Sequence, residues 1–65
     1  MDNFTPFEVG DLIRLRYSDE RFLVLVKNNS FRTGNTISYK VLDLKRSDYI
    51  TISYRNFDDY ALDIK

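Results

Sequence analysis

The chain has 65 residues and a mass of 7.8 kDa, balances ten Lys and Arg against ten Asp and Glu, and contains no Cys, His or Trp. A chain this short makes one domain, residues 1–65, and buries only ~60% of the surface its unfolded form exposes. The composition excludes disulfide staples, thiol nucleophiles, imidazole acid/base chemistry and His/Cys metal sites, and zero formal charge supplies no long-range field for nucleic acid or an anionic membrane.

With 43% hydrophobic residues, including five Phe and five Tyr, the chain can build a packed core. No apolar run approaches the ~20 residues of a membrane span, and Met1-Asp2-Asn3 has neither the basic nor the apolar region of a secretory leader. The expected compartment is the cytoplasm, that of the host if the protein is viral. The sequons Asn3-Phe4-Thr5 and Asn28-Asn29-Ser30 are then expected to stay unmodified.

Thr5-Pro6-Phe7-Glu8 offers a capping hydroxyl, a Pro at the first helical position and a Glu at the third, with Phe4 and Val9 at staple spacing and Gly10 where a helix would stop. This predicts one helical turn before the first strand. From Leu12 the period becomes two: Ile13, Leu15 and Tyr17 share one face, Leu12, Arg14 and Arg16 the other. After the polar Ser18-Asp19-Glu20-Arg21, residues 22–26 are apolar on both faces, which predicts the most buried, central strand. Residues 27–35 have loop composition, with Phe31 standing alone among Asn, Ser and Gly.

A strand over 36–44 begins with Ile37, Tyr39 and Val41 in phase and shifts to Leu42 and Leu44, which predicts a bulge or a passage between sheets. Lys45-Arg46-Ser47-Asp48 is a tight turn into a strand in which Ile50, Ile52 and Tyr54 alternate with Thr51 and Ser53. Residues 55–60 can close one helical turn with Asn56 or Asp58 as cap, and 61–64 supply a short last strand.

Five short strands, a tight hairpin between the third and fourth, and one helical turn before the fifth resemble the SH3-like small barrel, an all-β fold. Val9-Gly10-Asp11-Leu12-Ile13-Arg14-Leu15 looks like the opening strand of KOW and Tudor-type domains, common in transcription, translation and chromatin factors. Asp19-Glu20-Arg21 stands where a KOW motif has Gly, and Arg55-Asn56-Phe57-Asp58 is not the Asp-Tyr-Gly-Asn-like stretch of a Tudor domain, so neither family's contacts carry over. The long first loop, Ala-Leu-Tyr-Asp-Tyr-like segment and groove Trp of polyproline-binding SH3 domains are missing too. Asn56-Phe57-Asp58-Asp59-Tyr60-Ala61-Leu62-Asp63 is similar to the close of the small SH3-like accessory component of photosystem I, whose family role is docking between proteins; we read that as convergence. As a free-standing domain the chain resembles small accessory proteins of bacteria and their phages.

Catalysis has few materials. Asp19-Glu20 and Asp58-Asp59 sit in turns where neighbouring carboxylates face water and point apart, and no Ser has a base to activate it. Asp58, Asp59 and Asp63 do not form a calcium loop, and Gly10 and Gly34 do not make a phosphate cradle. No enzyme, cofactor or metal is expected. The expected role is a non-catalytic adaptor or regulatory module that docks on a protein or on itself, through Phe31, Tyr49, Phe57 and Tyr60. Self-association would also cover a strand as apolar as 22–26. The alternative is nucleic-acid binding through a stripe of Arg14, Arg16 and Lys40, with Tyr17, Tyr39 and Tyr54 as stacking surfaces. Against it, the same tyrosines lie in phase with Ile13, Val41 and Ile52, which assigns their rings to the core.

Overall fold

A computed structural model describes residues 6–63; Thr5, the staple residue Phe4, the sequon at Asn3 and Ile64 lie outside the described residues. The strands are β1 (Leu12–Leu15), β2 (Arg21–Asn29), β3 (Thr36–Asp43), β4 (Asp48–Ser53) and β5 (Tyr60–Leu62), with a 3-10 helix, Tyr54–Asp59, before β5. All five pair antiparallel in one sheet of order β4-β3-β2-β1-β5. The fold is all-β as expected. Among the described residues β4 and β5 form no ladder with each other, so the sheet is not closed into a barrel, and the 3-10 helix connects its two edges.

One face of the sheet forms the core. Ile13, Phe22, Val24, Tyr39, Val41 and Ile52 project from β1 to β4, and Phe7 and Phe57 cover them from the N-terminal segment and the 3-10 helix. Tyr39 is the hub. Its ring packs 5.6 Å from Phe7 and 5.1 Å from Phe57, and Phe22 meets Tyr60 edge-on at 5.5 Å. The Tyr39 hydroxyl accepts the Phe7 N–H at 3.0 Å and donates to the Phe7 carbonyl at 2.7 Å, satisfying both backbone groups of a buried residue outside any ladder.

Several elements depart from the sequence pattern for identifiable reasons. The turn before β1 is not helical. Glu8 and Asp11 are joined by Asp11 N–H to Glu8 C=O at 3.0 Å, Gly10 has φ 94°, and the Glu8 N–H is taken by the Asp11 carboxylate at 2.8 Å. This is a type II turn, which demands Gly at its third position. Strand β1 ends at Leu15, so Tyr17 falls in the following turn, 87% exposed, and Tyr54 starts the 3-10 helix instead of extending β4. Neither is a core ring.

Strand β2 is central but buried on one face only, with Phe22 and Val24 inside and Leu23 and Leu25 half-buried on the other side. It also runs to Asn29, taking residues from the expected loop. The phase change in β3 lies earlier than the pattern suggests. Asn28 pairs with Ser38 and Asn29 with Thr36, so Ile37 is an extra residue displaced to the exposed side; a second bulge opposes Leu25 and Val26 to Lys40. Past these, Tyr39, Val41 and Asp43 keep one phase, which buries Asp43 and leaves Leu44 exposed. Asp43 tolerates burial because its carboxylate accepts the N–H groups of Lys45 and Arg46, holding the turn in which Ser47 adopts φ 58°. The 3-10 helix begins after Ser53 with no side-chain cap, not at Asn56 or Asp58.

Tyr39→Phe should lower stability by about 1–3 kcal/mol, because it orphans two buried backbone groups at once. The checks are the urea midpoint and the exchange rate of the Phe7 amide, which should rise. Burial pushes both the Tyr39 and Tyr60 phenols above the ordinary tyrosine range, the Tyr60 shift reinforced by Asp59, Glu20 and Asp43. With folded values raised above the unfolded value of about 10, their contribution is fully present below that pH and is lost as pH rises through the raised values. Urea titrations should therefore show a stability loss beginning near pH ~10 that is shallower in Tyr39→Phe.

Candidate functional site

The structure scatters the residues that the sequence groups together. Phe57 is a core residue, only 2% exposed, with no outer surface for a partner, and Tyr60 is half-buried against Phe22. Phe31 is fully exposed at the tip of the β2–β3 loop. That loop is self-contained: the Ser30 hydroxyl accepts N–H groups from Arg32 and Thr33, Gly34 N–H donates to Ser30 C=O, and Ser30 N–H donates to Asn35 C=O. Phe31 therefore stands clear of the core. Tyr49 lies on β4, 63% exposed, with the Lys40 ammonium 5.0 Å from its ring centre.

The expected basic stripe is likewise divided. Arg14 shares Asp63 with Arg21, at 3.7 Å and 2.8 Å. Arg16, just past the end of β1, is tied to the backbone that precedes β5: its Nε donates to Asp58 C=O at 2.6 Å and its N–H to Asp59 C=O at 2.8 Å. Lys40 is two strands from Arg14 and rests on Tyr49. Arg14 and Lys40 share a sheet face without adjoining, and Arg16 is apart from both.

The side of the sheet opposite the core carries a more continuous feature. The register places Leu12 opposite Leu23, Leu23 opposite Leu42, and Leu42 opposite Tyr49, so one apolar row crosses β1, β2, β3 and β4. The three leucines are half-buried and Tyr49 is exposed. The two bulges extend this side: Leu25, Val26 and Ile37, which regular alternation would divide between the faces, sit with Lys40 and Ser38 on the exposed one. Among the described residues charge on this face is uneven, because Arg14, Arg21 and Lys40 are offset by a single carboxylate, Asp63. Sequence reasoning missed this row because its members alternate with core residues in four separate strands and only pairing aligns them.

A shallow, open depression of about 340 Å³ is lined by Phe7, Arg16, Phe57 and Tyr60 among others, and the Arg16 side chain beside it donates to the Asp58 backbone carbonyl. Among the described residues no three acidic side chains are grouped to hold a metal ion, and Asp63 pairs with Arg14 and Arg21. No helix among the described residues is long and apolar enough to cross a membrane. In comparisons with known proteins, no family model, no curated protein and no solved structure matches the chain.

The two loop-side aromatics should separate cleanly in mutagenesis. Phe57→Ala should cost about 3–5 kcal/mol through loss of core packing, and Phe31→Ala should change stability by less than ~0.5 kcal/mol. Thermal melts of the two variants check both.

Proposed function

We propose that the protein is a non-catalytic docking module, in plan a small SH3-like domain, that presents the outer face of its sheet to a protein partner. The observation that carries this reading is the row Leu12, Leu23, Leu42 and Tyr49, continuous over four strands, half-buried at its leucines, exposed at Tyr49 and flanked on the same face by exposed Val26 and Ile37. Monomeric domains seldom expose a contiguous apolar patch rimmed by polar groups unless something binds there. The flanking charges define the partner's chemistry: an apolar strip bordered by carboxylates, which would meet Leu23 and Leu42 at its centre and Arg14, Arg21 and Lys40 at its margins. Tyr49 is suited to the periphery, since it covers area at low entropy cost and keeps its hydroxyl in water.

Docking on protein is favoured over nucleic-acid binding by the same features. Leucines present no π-face to bases, and two of the cations on this face share a carboxylate. The absence of His and Cys from the sequence supports a role without catalysis.

Selection of random 12-residue peptides on the immobilised protein tests the reading. Enriched sequences should combine apolar residues with flanking Asp or Glu. Their binding should fall at least tenfold in the Leu42→Ser variant and in Tyr49→Ala, and remain unchanged in Phe31→Ala. Binding of mixed DNA or RNA oligonucleotides that shifts the Arg14, Arg21 and Lys40 amides and declines steeply with salt would overturn it in favour of nucleic acid. So would peptide binding indifferent to both outer-face substitutions.

A further inference from the structure

The β4 edge supports a second inference, which does not draw on the outer-face reading. Leu44 donates its N–H to Arg21 C=O at 3.2 Å, so alternation turns the backbone of Leu42 toward β2 and the backbones of Val41 and Asp43 toward β4. Their partners Ile50 and Asp48, with Ile52 opposite Tyr39, spend their N–H and C=O groups inside the sheet. Tyr49, Thr51 and Ser53 then direct theirs to the open edge, where no other strand lies among the described residues.

Natural sheets protect such an edge with charge, proline, a bulge or brevity. Residues 49–53, Tyr-Ile-Thr-Ile-Ser, carry no charge and no Pro, and the six β3–β4 pairs run without a register shift, both bulges being between β2 and β3. The opposite edge, β5, is three residues long and is protected by that brevity.

We propose that β4 pairs with β4 of a second copy of this chain, antiparallel about a two-fold axis through Thr51. That register sets Thr51 against its symmetry mate, Tyr49 against Ser53, and Ile50 against Ile52 twice over, and it pairs the edge-directed groups of Tyr49, Thr51 and Ser53 with one another. Ile50, exposed on the core side although in phase with Ile52, gains apolar cover. The ends are complementary in charge: Asp48 of each copy comes beside Tyr54 and Arg55 of the other, and both Asp48 and Arg55 are exposed and make no ion pair among the described residues. The occupant is a second copy for this reason. The strand is self-complementary in side chains, in hydrogen bonding and in terminal charge. One added strand pair is at the small end of specific interfaces, so the dimer is weak and concentration-dependent.

Sedimentation velocity from roughly 10 μM to 1 mM, a range set by the affinity of small interfaces, reads the association. Amide exchange over the same range identifies the surface. Expected are a monomer–dimer transition and slowing of the Tyr49, Thr51 and Ser53 amides as concentration rises, with the Ile50 and Ile52 amides already protected in the monomer. Thr51→Lys, which faces two ammonium groups across the axis, should abolish the dimer while keeping a dispersed amide spectrum. Arg55→Asp should weaken it a few-fold, and adding Asp48→Arg should restore it. A monomer at every concentration overturns the proposal, as does a dimer that survives Thr51→Lys or a ladder of oligomers in which β5 amides become protected. Peptide binding to the outer face is read separately, so failure of either reading leaves the other standing.

Discussion

Everything in this small fold converges on the hydroxyl of Tyr39. A 65-residue chain without cysteines must order an N-terminal segment that belongs to no strand, and each buried polar group there needs a partner. One side chain from β3 supplies two, accepting from Phe7 N–H and donating to Phe7 C=O. With the backbone of Phe7 so held, its ring closes over the Tyr39 ring from one side while Phe57 closes from the other. The 3-10 helix is thereby fixed between the two sheet edges, and the core gains the aromatic bulk that its short strands lack.

The same economy explains the exposed side. A single sheet has two faces, and the described residues supply covering elements for one: the segment carrying Phe7 and the helix carrying Phe57. Residues that alternate away from the core, Leu12, Leu23 and Leu42, are nonetheless apolar, and pairing lines them up instead of dispersing them. The bulges strengthen the asymmetry by moving Val26 and Ile37 outward.

Much of the architecture was legible because it rests on local chemistry. Alternation located β1, β3 and β4, the Lys45-Arg46-Ser47-Asp48 turn marked the hairpin, and residues 55–60 announced the helical turn found at Tyr54–Asp59. What escaped depends on partners distant in sequence. Tyr17 and Tyr54 continue a periodic pattern that chain reversal cuts short, and a pattern does not record where its strand ends. Asp43 looked like an interruption between two leucines until its bonds to Lys45 and Arg46 made it the buried member. Arg14, Arg16 and Lys40 read as one stripe because alternation assigns a face but not a neighbour. The outer row was invisible for the same reason: register, not composition, creates it.

The pairing of β1 with β5 carries a consequence for how the chain assembles. Ile13 meets Leu62 across a loop of about 50 residues, whereas β3 and β4 are joined by the short turn from Leu44 to Ser47. Closing the long loop costs more chain entropy and gains only three residue pairs, so the β2-β3-β4 meander forms ahead of it and β5 docks last. Reversed in time, β5 is the first strand to leave. Its departure uncovers the far edge of β1 and removes Asp63 from Arg14 and Arg21. The polarity of the outer face is thus coupled to the least firmly held strand, and local opening at the C-terminal end makes that face more basic without unfolding the core.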